Sequence, residues 1–149
     1  MKENYEINNE TLAILPLNAK TSKVIEVNNE YIINRSSYQI MEASCKYFGS
    51  SMSGRIEGAN ELIGSKYKAP ILIDDSREII FIPTEAITNV NCHWISLKYI
   101  SDFTSLDKKT NVVFKNGKML DVDISKGSFE NQIYRASKLG YIIKSRQKE

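Results

Sequence analysis

Apolar residues in this chain come mostly in short runs bounded by turn formers, the pattern of strands, and only twice at clear helical spacing. Tyr5 to Ile7, Thr11 to Leu15 before Pro16, and Val24 to Val27 with Tyr31 to Ile33 read as strands. Asn28-Asn29 joins the last two, since Asn tolerates positive φ in a tight hairpin. Ile71 to Ile73 and Glu78 to Ile82 flank the turn Asp74-Asp75-Ser76-Arg77, and Pro83 stops the second at a sheet edge or end. From Trp94 to Tyr99, Ile95, Leu97 and Tyr99 alternate with Ser96 and Lys98, which predicts a half-buried strand. Val112 to Phe114 and Met119 to Ile124 flank Asn116-Gly117, the strongest hairpin signal present.

The first helical pattern covers 36–48. Ser36-Ser37-Tyr38-Gln39 has capping-box spacing, Met41, Cys45 and Phe48 recur at helical intervals, and Gly49 suits a left-handed C-terminal position. The second covers 128–139, with Phe129, Ile133, Ala136 and Leu139 on one face, Gln132, Arg135 and Lys138 on the opposite one, Ser125 or Ser128 as cap and Gly140 as stop. Between Gly49 and Gly64, glycines and serines alternate with no clean period, and a short helix or strand fits around Asn60 to Ile63. The fold class that follows is α+β, a single domain over 1–149, mostly antiparallel β-sheet with about two helices near 36–48 and 128–139.

Composition narrows the function. No apolar run reaches the roughly 18 residues of a membrane span, and Met1-Lys2-Glu3-Asn4-Tyr5 lacks the apolar core of a signal peptide, so a cytoplasmic protein that does not engage a membrane is expected. Cys45 and Cys92 read as reduced thiols and not as a disulfide framework. With the single histidine, His93, they lack paired-ligand spacing, and no metal or other cofactor is expected. Cys92 and His93, adjacent on a strand, point to opposite faces and make no nucleophile pair, and no GxSxG, HExxH or phosphate-loop motif occurs. The formal net charge of +2 hides two basic segments: residues 45–68 hold four Lys/Arg against two Asp/Glu, and 108–149 hold ten against four. Their convergence on one face would make a polyanion site, and their separation would leave ordinary solvated lysines.

Several blocks carry more than charge. In order they are Ser44-Cys45-Lys46-Tyr47-Phe48-Gly49-Ser50-Ser51 with Gly54-Arg55, then Lys66-Tyr67-Lys68-Ala69-Pro70-Ile71, Cys92-His93-Trp94-Ile95-Ser96, Phe114-Lys115-Asn116-Gly117-Lys118, and Phe129-Glu130-Asn131-Gln132 with Arg135-Ala136. Over about residues 30–140 this sequence resembles the ComK family of competence transcription factors. The resemblance implies an activator and not an enzyme: a regulator that binds paired A/T-rich boxes in double-stranded DNA, largely through the minor groove. Paired boxes are matched by a homodimer or higher self-association on DNA, with RNA polymerase as a possible further partner. Lys68-Ala69-Pro70-Ile71 stands where the family usually has Lys-Pro-Pro-Ile, and the chain ends before the C-terminal extension of full-length relatives, the segment associated with adaptor-directed proteolysis.

Under that resemblance Arg55 is the first candidate for the narrow A/T-rich groove, where negative potential concentrates and a cation among small residues can enter. Gly54 permits close backbone approach, Ser50, Ser51 and Ser53 can donate to phosphates, and Lys46, Lys66 and Lys68 fit phosphate walls. Lys115, Lys118, Arg135 and Lys138 belong to the second basic segment. Trp94 and Tyr47 fit core positions better than stacking ones. Two alternatives remain open: a protein-interaction module or short paralogue that pairs with a full-length regulator without binding DNA itself, and a fold likeness of residues 92–140 to LytTR-type domains that moves the contacts to Lys115 and Lys118.

Overall fold

The runs Ile71-Leu72-Ile73 and Ile79-Ile80-Phe81-Ile82 have no polar side, and strands of that kind need cover on both faces. The computed structural model, which describes residues 1–147, has that cover. Strands β1 (Thr11–Pro16), β2 (Ser22–Glu26), β3 (Glu30–Ile33), β4 (Ile71–Asp74), β5 (Ile79–Pro83) and β6 (Trp94–Ser96) form an antiparallel sheet in the order β3-β2-β1-β6-β5-β4. On one face Ile14, Val24, Ile71, Phe81 and Trp94 pack against Ile40, Met41 and Cys45 of α1 (Ser37–Tyr47) and Met52 and Ala59 of α2 (Met52–Ile63). A second sheet covers the other, in the order β7 (Ile100–Leu106), β8 (Lys109–Phe114) and β9 (Met119–Val122), together with α3 (Lys126–Arg146). There Ala13, Ile25, Leu72, Ile80, Ile82 and Ile95 meet Val112, Phe114, Val122, Phe129 and Ala136.

The expectation of about two helices is corrected to three among the described residues, in an α+β fold with two antiparallel sheets. The additional helix, α2, occupies the stretch the glycines obscured. Ser51 Oγ caps it by accepting from the Gly54 amide at 3.0 Å, and Gly64, with φ of 65°, ends it in the left-handed conformation. Gly54 and Gly58 inside α2 each cost about 1 kcal/mol of helix propensity, a penalty that packing of Met52, Ile56, Ala59 and Ile63 outweighs. Conversely, Gly140 does not stop α3, which runs on to Arg146. A Cβ at Gly140 would stand 3.1 Å from Ile80 Cδ1, so this glycine permits close helix-to-sheet approach.

Two strands also differ from expectation. Trp94 to Tyr99 is a strand only through Ser96; Leu97–Tyr99 forms a 3₁₀ turn, and the chain then leaves one sheet for the other as β7, whose mostly exposed residues carry no apolar alternation. Tyr5 to Ile7 is not a strand, although Tyr5 and Ile7 are buried and the Ile7 amide donates to Ser44 Oγ at 2.9 Å. Helix α1 begins at a full capping box, the Gln39 amide donating to Ser36 Oγ at 3.1 Å and the Ser36 amide to Gln39 Oε1 at 2.9 Å. Helices α2 and α3 meet beside β4, the last strand of the large sheet, with Leu62 and Ile143 packed against the core around Ala59 and Leu139.

Candidate nucleic-acid interface

A buried polar side chain ties the two basic segments together. Gln132, only 2% exposed, lies on the covered face of α3 and not, as the periodicity suggested, on its opposite face with Arg135 and Lys138. Its Nε2 donates to the backbone carbonyl of Lys68 at 3.0 Å and to that of Pro83 at 3.0 Å, while its Oε1 accepts from Arg135 Nη1 at 3.0 Å. Both amide hydrogens and the carbonyl are therefore engaged, as a buried amide requires. Across this clamp Lys68, from the loop before β4, and Arg135, from α3, lie on one side of the molecule. The Tyr67 carbonyl of the same loop accepts from the Ile87 amide at 2.9 Å, which fixes the loop from its other side.

Around the clamp, Lys66, Arg135 and Lys138 are exposed and Lys68 is half-buried. The outward line of α3 carries Tyr134 and Tyr141, 67% and 74% exposed, on either side of Lys138, and Tyr67 stands between the two loop lysines, 77% exposed. Aromatics left in solvent beside cations have the composition of a surface that meets sugar and phosphate, where a phenol donates a hydrogen bond and an ammonium supplies charge. Tyr47, beside Lys46, is exposed as well, whereas Trp94 is fully buried. The sequence reading of Tyr47 as core is thereby corrected, and that of Trp94 agrees with its position. The cations here come from α3 and the loop, because the solvent side of α2 shows Glu57 and Glu61.

The first segment contributes differently. Lys46 is exposed and 3.7 Å from Glu42 one turn earlier. Ser50 is half-buried, Ser51 is occupied as the helix cap, and Ser53 is exposed with its hydroxyl 3.2 Å from that of Ser51. Gly54 is exposed, and Arg55 is half-buried at a cleft of about 230 Å³ between α2 and α3, which Gly58, Asp75, Leu139 and Ile143 also line. Arg55 Nε is buried with no hydrogen-bond partner among the described residues. Its charge is felt by Cys45, whose thiol burial pushes up to about 12 while the guanidinium pulls it the other way.

Lys115 and Lys118 stand apart from this face. The β8–β9 hairpin tip docks on the same face of the large sheet as α3 but at the end of β2, where Lys118 Nζ donates to the Glu26 carbonyl at 3.1 Å and Asn116 Nδ2 to the Val27 carbonyl at 3.0 Å. Lys115 remains exposed, its amide held by the Tyr99 carbonyl. Lys118 is thus a fastening between the sheets, an assignment invisible in the hairpin signal itself. Cys92 is buried too, its thiol raised to about 11 by burial, and the two thiols are unpaired. Among the described residues no group of three or more His, Cys, Asp and Glu is placed to hold a metal, and no helix is long and apolar enough to cross a membrane.

This pattern of one clamped basic face on an α+β scaffold coincides with a family assignment. The sequence model described as ComK protein matches residues 2–148. The competence transcription factor of Bacillus subtilis (strain 168) is 40% identical over 139 residues, which span 91% of this chain and 72% of that protein. No solved structure matches. The matched class is one of competence-type transcription regulators. The chain belongs to the ComK family.

Proposed function

We propose that this protein regulates transcription by binding paired A/T-rich boxes in double-stranded DNA, largely through the minor groove. The observation that carries the reading is the clamp at Gln132, which joins Lys68 of the first basic segment to Arg135 of the second. In the proposed complex Lys66, Lys68, Arg135 and Lys138 neutralise phosphates, and Tyr67, Tyr134 and Tyr141 meet the sugar-phosphate walls. Arg55 extends from the α2–α3 cleft into the groove, supported by its unpartnered Nε and by the space that Gly54 and Gly58 leave beside it. Lys46, Ser50, Ser51 and Ser53 are secondary phosphate contacts at the start of α2. In this reading Lys118 belongs to the fold and Lys115 lies outside the DNA-binding face. Two copies of one reading surface match two boxes, so the protein self-associates on DNA, and as a competence-type activator in the cytoplasm it then presents itself to RNA polymerase.

The experiment compares Lys68→Ala with Arg135→Ala and the double variant over a salt series. Each single change should flatten the dependence of log affinity on log salt by about one phosphate's worth, and the double by about two, with the preference for A/T-rich duplex retained. Sedimentation on a two-box duplex at saturating protein should give two or more chains per duplex. Unchanged salt slopes in all three variants, together with loss of binding in Lys115→Ala, would move the interface to the β8–β9 hairpin and overturn the proposal.

A further inference from the structure

The loop before β4 holds only a short turn at Tyr67-Lys68, and its two lysines carry their charges at the tips of long side chains, so without a clamp on the backbone their positions would scatter over many conformers. Two fixtures oppose that scatter: the Ile87 amide on the Tyr67 carbonyl and Gln132 Nε2 on the Lys68 carbonyl. Only the second also reaches a cation of α3, since Gln132 Oε1 holds Arg135 Nη1. We infer that Gln132 is a positioning residue for DNA binding: it touches no phosphate, and it sets Lys68 and Arg135 at a fixed separation so that both engage one duplex. This inference rests on the proposed DNA-binding function and adds to it a residue that carries no charge and lies out of solvent.

The chemistry makes the amide hard to replace. The site presents two carbonyl acceptors, of Lys68 and Pro83, and one guanidinium donor, and glutamine supplies two N–H donors and one acceptor in that arrangement. Glutamate keeps the acceptor for Arg135 and turns a carboxylate oxygen toward the carbonyls, while methionine has similar length and neither donor nor acceptor strength. Asparagine keeps the amide and, one methylene shorter, withdraws it from both carbonyls. In all three the Lys66–Lys68 loop loses its tie to α3. Arg135→Met, in contrast, removes a cation and leaves the clamp on the loop intact.

The test uses the full chain and two readouts, both taken well below the unfolding midpoint of each variant. Amide hydrogen exchange over residues 65–69 should accelerate in Gln132→Met, Gln132→Glu and the milder Gln132→Asn, and stay as in wild type in Arg135→Met. Affinity for an A/T-rich duplex should fall in all the Gln132 variants as the Lys68 contact is misplaced, and by about tenfold or more, with the salt slope flattened, in Gln132→Met, where the hold on Arg135 is lost as well. Lys68→Ala added to Gln132→Met should then cost little beyond Gln132→Met alone, a non-additivity that a residue acting only on stability does not produce. Faster loop exchange with unchanged affinity, or full additivity of the two substitutions, overturns the positioning role while leaving DNA binding in place. Absence of DNA binding in the wild type overturns the underlying function, and the exchange data then report the clamp by themselves.

Discussion

Arg55→Met separates a residue kept for function from one kept for the fold. Arg55 Nε is buried without a partner, and leaving a donor in that state costs about 1 to 3 kcal/mol. Because Arg55 is half-buried the lower figure applies, and methionine retains the aliphatic stem that lines the α2–α3 cleft. The expectation is a gain of about 1 kcal/mol, which in a chain of this size raises the unfolding midpoint by about 2 to 4 °C. DNA binding should move the other way, with the preference for A/T-rich over G/C-rich duplex falling about tenfold as the inserted cation is lost. Thermal unfolding by circular dichroism and paired titrations with both duplexes measure the two effects. A midpoint lowered by several degrees, or equal weakening on both duplexes, would show Arg55 to be structural and refute the reasoning.

Lys118→Met removes a hydrogen bond to the Glu26 carbonyl and should destabilise the fold by about 1 kcal/mol in a denaturant titration, with DNA affinity within twofold of wild type. Ser51→Ala deletes the α2 cap, costs about 1 kcal/mol, and should speed amide exchange at Gly54 and Arg55 first. Alkaline stability follows from the two thiols. Both are neutral in the fold, with Cys45 raised to about 12 and Cys92 to about 11 by burial, against an ordinary value of 9.0. The unfolded state therefore releases protons first, so this contribution is complete below about pH 9 and is lost as pH rises through about 11 to 12. A urea midpoint that held constant across that window would contradict the buried-thiol account.

The elements most legible in the sequence were those with a local chemical signature. Ser36 and Gln39 mark α1 because a capping box is read from four consecutive residues, and Asn116-Gly117 marks the β8–β9 hairpin because Gly117 must take positive φ, here 89°. Helix α2 was obscured because Gly54 and Gly58 carry a loop's propensity, and only contact with β4 and α3 decides for helix. Gln132 was misplaced since periodicity sorts residues by polarity, and a glutamine inside an apolar stripe is told from a solvated one only by its acceptors, which lie 49 and 64 residues away in sequence. The interruption of the Phe129, Ala136, Leu139 face by an amide was the available signal. The basic segments were visible as charge, but the division between the Lys68–Arg135 face and the docked Lys118 depends on tertiary contacts alone.

The central claim is tested most directly by titrating the wild-type protein with an A/T-rich two-box duplex and a G/C-rich duplex of equal length across a salt series. The account predicts tighter binding to the A/T-rich duplex at every salt concentration and a log affinity that falls linearly with log salt, with a slope of about −0.9 for each phosphate neutralised. Equal affinity for the two duplexes, or binding to neither, would contradict it.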